Sequence, residues 1–558
     1  MRDGIRLYTA VYVPKNRQDK HPILLERTGS GAGPYGTDRY RHHRGSPKFV
    51  ENGYIFADQD VRGAGHSEGV FVQDRPQLLN PLKPQDIDES TDAYDTINYL
   101  VKNVPDNNGR VGLWGISNRG FYAAAGAINS HPALRAASPQ APASDWFLGD
   151  DFHHNGALFL MDAARTGTKD PDTGEDAYRF YLAHGALSSL TQDYFKEEDY
   201  FWKDLMAHGT YDEYWQARNL PHNMRNVRCP VMTVGGWFDA EDLWGALHTA
   251  KAITAQNTGI PTMLVMGPWS HGSWAGPRGN RLGDQEFGQP TSSFFQNEIE
   301  FPFFDAFLRG NGKRRLPAAQ VFETGANRWR TFSQWPPREA KPTNFYLLPR
   351  RTIGTMPPTD TDAADEYISD PANPVPYQGG VIRRRTDDYM IDDQRFAAER
   401  HDVLTYQTAP LDSGITLAGP ITADLYVSTS TTDADFVVKI VDVFPDDAPG
   451  KLACYQMLVR AEVLRAKFRN SYSNPQPLTP LQTEHAVYEM PDLFHTFCKG
   501  HRLMVQIQSS WFPLVDRNPQ RFMDIYTAKP EDFQKATIQI HRAAASASHL
   551  RVGVLSIK

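Results

Sequence analysis

The sequence predicts an α/β domain with a mostly parallel sheet, interrupted by a helical insertion and followed by a β-sandwich. Short apolar strands alternate with helical periodicity as far as about residue 143, the strand pattern vanishes from 144 to 222, and it then returns. Beyond about residue 316 the helical periodicity fades, and Pro/Asp/Gly-rich segments such as Met356-Pro357-Pro358-Thr359-Asp360 separate short alternating runs. The boundaries read in this way are 1–143 and 223–316 for the α/β domain, 144–222 for the cap and 317–558 for the sandwich.

The elements follow in order. Strand-forming runs at Arg6 to about Val13 and at Ile23-Leu24-Leu25 precede a glycine-rich loop, Gly29-Ser30-Gly31-Ala32-Gly33-Pro34-Tyr35-Gly36. The loop lacks the Gly-Lys-Ser/Thr ending of a phosphate cradle and reads as a flexible segment that presents Tyr35. Tyr54-Ile55-Phe56-Ala57 is the next strand; the Asp60/Arg62 pair after it reads as a structural ion pair or turn. Ala93, Ile97 and Val101 recur at helical spacing, and Asn108-Gly109 turns the chain into the strand Val111–Trp114. An alanine-rich helix from Phe121 to about Asn129 stops at His131-Pro132.

Aromatic, helix-compatible segments such as Tyr178-Arg179-Phe180-Tyr181-Leu182 define the cap. Strands resume at Val231-Met232-Thr233-Val234 and Met263-Leu264-Val265-Met266, and each ends in polar residues. In the last domain, Ile421 to Val427 and Leu503 to Ile507 place an apolar residue at every second position, with a turn at Lys499-Gly500.

Composition excludes several classes. The 558 residues are 40% hydrophobic and 22% charged, as in an ordinary globular chain, and a formal charge of −8 without long like-charge runs offers no footprint for nucleic acid or an anionic membrane. No apolar run approaches the roughly 18 residues of a membrane span. The three cysteines, Cys229, Cys454 and Cys498, are too scattered to define a disulfide framework or a zinc site. Met1-Arg2-Asp3-Gly4 reads as the turn of a β-hairpin, which leaves room for an upstream strand or export signal. Localisation therefore stays open between periplasmic or secreted and cytoplasmic.

The chemistry centres on Gly115-Ile116-Ser117-Asn118-Arg119-Gly120, where a strand meets a helix. A serine on such a tight turn is exposed at the strand's end, and the backbone N–H of Asn118 points where an oxyanion would form at the positive end of the helix dipole. The strict motif has glycine two places after the serine; here Arg119 takes that place and the glycine arrives at Gly120. Serine needs a base, and the base needs a carboxylate to fix its tautomer. Asp239 and His271 follow the two later apolar strands, so Ser117, Asp239 and His271 occur in the α/β-hydrolase order.

The same residues carry a resemblance. Met-Arg-Asp-Gly near the start, Gln59-Asp60-Val61-Arg62-Gly63 with Ser67-Glu68-Gly69, the Gly-x-Ser-x-x-Gly elbow, Gly149-Asp150-Asp151, Trp237 to Ala246 and Met266 to His271 resemble the α-amino acid ester hydrolases. These sit within the wider group that holds cocaine esterase and the X-Pro dipeptidyl-peptidases. Gly500-His501-Arg502 and Asp516 to Gln520 extend the likeness over nearly the whole chain. The resemblance implies an α/β-hydrolase domain with an inserted helical cap and a C-terminal jelly roll, a triad of Ser117, Asp239 and His271, and a homo-oligomer.

It further implies a carboxylate cluster of Asp151, Glu241 and Asp242 that holds the substrate's ammonium, a sensible device beside a scissile carbonyl. The oxyanion donors implied are the Asn118 backbone N–H and a tyrosine hydroxyl, Tyr35. Two departures stand out: Asn118 replaces the family's tyrosine after the nucleophile, and Gly29 to Gly33 separate Arg27-Thr28 from Pro34-Tyr35. No cofactor or metal is expected. Asp150, Asp151, His153 and His154 coincide with the ammonium site, and His495, Cys498 and His501 straddle a hairpin turn.

The expected function is a serine hydrolase and acyltransferase acting on small-molecule esters and amides of α-amino acids, α-amino β-lactam antibiotics among them, through an acyl-enzyme on Ser117. An X-Pro dipeptidyl-peptidase would need room for a further residue between amine and scissile bond, and a general carboxylesterase of the cocaine esterase type would ignore the α-amino group. A binding module with a decayed hydrolase domain would be expected to lose part of the triad, and all of its members are present.

Overall fold

The computed structural model describes every residue except 17, 37, 38, 40–44, 79–82, 84, 166–170, 196–199, 311, 313 and 556–558. It divides into two compact units, one made of Met1–Asp145, Gln216–Phe322 and Trp329–Trp335, the other of Trp146–Trp215, Glu323–Arg328 and Pro336–Lys558.

The first unit is built on a nine-stranded sheet. Its strands are β1 (Thr9–Tyr12), β2 (His21–Thr28), β3 (Ile55–Asp60), β4 (Asn107–Ser117), β5 (Leu134–Pro142), β6 (Val231–Gly236), β7 (Thr262–Gly267), β8 (Ala319–Glu323) and β9 (Arg328–Phe332), in the spatial order β1-β3-β2-β4-β5-β6-β7-β8-β9. β1 runs antiparallel to β3, and β3, β2, β4, β5, β6, β7 and β8 are successively parallel. Both faces are covered, so the central strands read as apolar runs rather than as alternation. One face packs Ile23, Leu25, Val111 and Leu113 against Phe121 and Ala124; the other packs Leu24, Trp114 and Met232 against Phe303 and Phe307.

Helix α1 (Glu89–Asn103) begins at a reciprocal cap in which Asp88 accepts from the Thr91 N–H at 2.8 Å and the Thr91 hydroxyl accepts from the Asp88 N–H at 2.9 Å. Helix α2 (Asn118–Ala127) starts directly at the end of β4, three residues before the expected Phe121. Ala319 pairs with Leu264 and Val321 with Met266, so β8 extends the parallel sheet beyond residue 316, the limit read from the sequence. Fading helical periodicity marks the last helix (Phe301–Leu308) and says nothing of a strand added at the far edge.

In the second unit, residues 146–215 form short helices, with a small hairpin at His153–His154 and Ala157–Leu158 that periodicity does not reveal. The rest is β-rich and organised on a twelve-stranded sheet. Its longest pair is Ile415–Thr429 against Glu484–Phe497, antiparallel with an irregularity between Gly419 and Ile421. Leu417, Ile421, Ala423, Leu425 and Val427 all face the core. The buried Arg465 guanidinium lies 2.8 Å from both Asp435 and Asp516, and Asp516 also accepts the Leu158 N–H of the small hairpin at 3.2 Å. Such a charge tolerates burial only because its partners are fixed around it.

Candidate active site

The glycines around Ser117 have steric causes. Ser117 ends β4 with φ 65° and ψ −131°, a sparsely populated conformation for a residue with a side chain and one that costs on the order of 1–3 kcal/mol. A Cβ at Gly115 would collide with the carbonyl oxygen of Arg119, and one at Gly120 with that of Gln140 on β5. The helix face that meets β5 is therefore the one carrying position 120. Position 119 is free to hold a side chain, and Arg119 reaches Glu26 at 3.1 Å and donates to the Ser30 hydroxyl at 3.3 Å. Sequence reasoning missed this tie; an acid ending the otherwise apolar Ile23-Leu24-Leu25 run was its signal.

Since β4, β5, β6 and β7 are parallel neighbours, the residues that follow β4, β6 and β7 share one edge of the sheet. The loops after β6 and β7 are also zipped together. The N–H groups of Trp237 and Phe238 donate to the carbonyls of Gly267 and Trp269 at 2.8 and 3.0 Å, an approach that needs a glycine at position 236. This brings His271 Nδ1 to 3.0 Å from both oxygens of Asp239. A Cβ at Gly272 would lie 3.5 Å from Ile116, the residue before Ser117, so the His271 loop runs beside the end of β4.

Asp239 Oδ1 accepts the backbone N–H groups of Glu241 and Asp242 at 2.9 and 3.0 Å. Burial alone would raise the Asp239 carboxyl, but the His271 charge and hydrogen bond, with those two N–H groups, outweigh it and hold the carboxyl below its ordinary value. Glu241 Oε2 lies 3.3 Å from His271 Nε2, and Asp242 Oδ2 lies 3.9 Å from Nδ1. Asp239, His271, Glu241 and Asp242 are thus one cluster. Asp151 belongs to the second unit, where, at φ 39°, it accepts the Trp146 indole N–H at 3.0 Å.

Of the expected oxyanion donors, Asn118 supplies the first N–H of a ten-residue helix, while its side chain donates to Asp74 at 3.1 Å. The Tyr35 hydroxyl donates to Asp60 Oδ2 at 3.1 Å, and its ring stacks on His66 with centroids 3.8 Å apart. Asp60 also accepts the N–H groups of Ala32 and His66. Of the two readings for Asp60 and Arg62, the turn is the one observed, with the Ala64 N–H on the Val61 carbonyl at 3.0 Å, while Arg62 holds Asp92 at 2.7 Å and Asp3 at 2.6 Å. The strand β3 ends at Asp60, so Arg62 lies in the turn beyond it and takes partners of its own.

The histidines set aside as metal ligands are engaged elsewhere. His153 meets the Trp146 carbonyl and the Tyr526 hydroxyl, His154 meets Glu462, and His495 and His501 share Asp442. Among the described residues no group of three His, Cys, Asp or Glu side chains is placed to hold a metal ion, and no helix is long and apolar enough to cross a membrane.

Comparison with known proteins accords with this geometry. Residues 3–273 match the X-Pro dipeptidyl-peptidase (S15 family) model, and residues 311–551 match the X-Pro dipeptidyl-peptidase C-terminal non-catalytic domain. A solved α-amino acid ester hydrolase is 36% identical, with a TM-score of 0.93 over 99% of this chain and 95% of that one. The chain belongs to the S15 family of hydrolases. Other relatives carry other names. An aminopeptidase from the marine sediment archaeon Thaumarchaeota archaeon is 36% identical, with a TM-score of 0.91 over 100% of this chain and 95% of its own. Cocaine esterase from Rhodococcus sp. (strain MB1 Bresler) is 27% identical over 100% of this chain and 97% of that protein. These relatives make this S15 member a serine esterase or peptidase in the broad sense.

Proposed function

We propose that this S15 hydrolase cleaves esters and amides of α-amino acids, α-amino β-lactam antibiotics among them, and transfers the same acyl groups, through an acyl-enzyme on Ser117. The observation that carries the reading is the pair of carboxylates, Glu241 and Asp242, set within 4 Å of the His271 ring. A group of carboxylates this close to the base of the nucleophile suits a substrate that brings its own cation.

In the proposed cycle Ser117 Oγ attacks the acyl carbon while His271 Nε2 takes its proton. Asp239, on Nδ1, keeps the ring in the required tautomer and stabilises the imidazolium. The tetrahedral oxyanion takes hydrogen bonds from the Asn118 N–H and from the Tyr35 hydroxyl, which exchanges Asp60 for it. His271 then returns the proton to the departing alcohol or amine, and a water or an added amine repeats the sequence in reverse. Glu241 and Asp242 hold the ammonium; Asp151 is proposed, on the resemblance alone, as a further ligand.

The family match also favours an X-Pro dipeptidyl-peptidase. Rates on phenylglycine methyl ester, phenylacetic acid methyl ester and an X-Pro anilide separate the readings. A preference for the first is expected; equal use of the two esters would leave a general esterase, and preference for the anilide a dipeptidyl-peptidase.

A further inference from the structure

His153 is buried and titratable, and it takes no part in the proposed cycle. Its Nδ1 lies 3.0 Å from the Trp146 carbonyl and its Nε2 lies 2.7 Å from the Tyr526 hydroxyl. Burial pushes the imidazole down to about 3, so the ring is neutral and carries one N–H and one lone pair. A carbonyl can only accept, which assigns the N–H to Nδ1. The Tyr526 O–H then donates into Nε2. Trp146, which accepts at its backbone, donates at its side chain, and its indole N–H meets Asp151 Oδ2 at 3.0 Å. Three hydrogen bonds therefore point the same way, from Tyr526 through His153 and Trp146 to the Asp151 carboxylate.

Packing holds the links of this chain in place. The His153 ring stacks on Phe147 with centroids 5.1 Å apart and meets Trp215 edge-on at 5.6 Å, while Trp146 meets Phe152 edge-on at 4.9 Å. Two residues beyond His153, Asn155 is gripped at three points. Its side-chain amide donates to the Val463 carbonyl at 3.0 Å and accepts the Tyr472 hydroxyl at 2.6 Å, and its carbonyl accepts the Arg465 N–H at 3.3 Å. Asp151 lies inside the segment fixed in this way, at φ 39°, a sparsely populated conformation that persists only where its surroundings impose it.

We infer that His153 is a positioning residue for Asp151 and that Tyr526 acts through it: Tyr526 fixes the ring, the ring sets Trp146, and Trp146 orients the carboxylate for the substrate's ammonium. The inference rests on the ammonium-binding reading of Asp151 proposed above. A charge-assisted hydrogen bond depends on direction as well as charge, so a loosened indole costs an amino-acyl substrate and spares one without the amine. Tyr526 lies within residues 311–551, the stretch that matches a non-catalytic domain. That domain thereby contributes to the choice of substrate.

The test is the ratio of kcat/KM for phenylglycine methyl ester to that for phenylacetic acid methyl ester. Tyr526→Phe deletes one oxygen and should lower the ratio about two- to tenfold, the worth of one hydrogen bond, with the des-amino rate unchanged. His153→Asn keeps an N–H for the Trp146 carbonyl and should retain more of the ratio than His153→Leu, which keeps none. In Asp151→Asn, adding Tyr526→Phe should move the ratio no further, because the carboxylate to be oriented has lost its charge. A ratio unmoved by Tyr526→Phe, equal losses on both esters, equal ratios in His153→Asn and His153→Leu, or a further fall in the double variant overturns the positioning role. If Asp151→Asn alone still lowers the ratio, Asp151 remains an ammonium ligand; if it does not, that reading falls as well.

Discussion

The proton that Tyr35 gives to Asp60, across 3.1 Å, is the one that an oxyanion at Ser117 would require. Tyr35→Phe should lower kcat by roughly 10²–10³-fold with little change in KM, the usual loss for one oxyanion donor. Steady-state kinetics on phenylglycine methyl ester checks this. An unchanged kcat would assign the hydroxyl to Asp60 alone.

Asp239 touches His271 Nδ1 with both oxygens, so Asp239→Asn leaves the volume but offers an amide where only an acceptor works. Turnover should fall by about 10⁴-fold, and pairing this change with Ser117→Ala or His271→Ala should add little, because the residues act as a unit. The Asp239 carboxyl is held below its ordinary value of 3.8, so its ion pair contributes stability that is present above that value and lost only as the pH falls through the lower, folded value. Activity titrations should show no inflection from Asp239 at or above pH 3.8. One that shifts in Asp239→Glu would contradict the assignment.

Glu300 behaves in the opposite sense. Burial pushes its carboxyl up to about 7, partly offset by hydrogen bonds of 3.0 Å from Gln140 and from the Ser46 N–H. Between its ordinary value of 4.5 and about 7 the folded chain holds more protons than the unfolded one. Stability is therefore fullest below that window and falls as the pH rises through it. Urea midpoints measured across the window should decline in the wild type and flatten in Glu300→Gln. Parallel curves would show that Glu300 titrates normally.

Asp151→Asn keeps an acceptor for the Trp146 indole, so the local fold should survive. Loss of the charge should cut kcat/KM for phenylglycine methyl ester by about ten- to a hundredfold and spare phenylacetic acid methyl ester. Equal losses on both esters would make Asp151 a structural residue only.

If one acyl-enzyme serves hydrolysis and transfer, the ratio of aminolysis to hydrolysis at a fixed amine concentration must be the same from the methyl ester and from the amide of phenylglycine. Product analysis by chromatography reads this directly. Two different ratios would require two routes.

The parts of the site that were legible in the sequence are those where chemistry and strand ends coincide. Ser117, Asp239 and His271 each follow an apolar run, and sheet parallelism sets those strand ends along one edge, where Asp239 meets His271. Less was visible where a role depends on which side chain faces which. Asp60 and Arg62 stand close in sequence and share no partner, and Arg119 finds Glu26 across two strands. Glu300 lies in a π-helical stretch, Phe295–Glu300, whose extra residue per turn no 3.6-residue pattern anticipates. The strand β8 escaped because adding to a sheet's edge depends on register with a strand more than fifty residues earlier, not on local periodicity.

The elbow's displaced glycine bears on how such enzymes are found. A search pattern counts residues along the chain and scores Arg119 as a defect, whereas the molecule counts contacts and requires only that nothing project from α2 toward the Gln140 carbonyl. Genome surveys keyed to the textual motif will pass over relatives of this kind. Surveys keyed to the small residue opposite the neighbouring strand will retain them and will treat the place held by Arg119 as open to engineering.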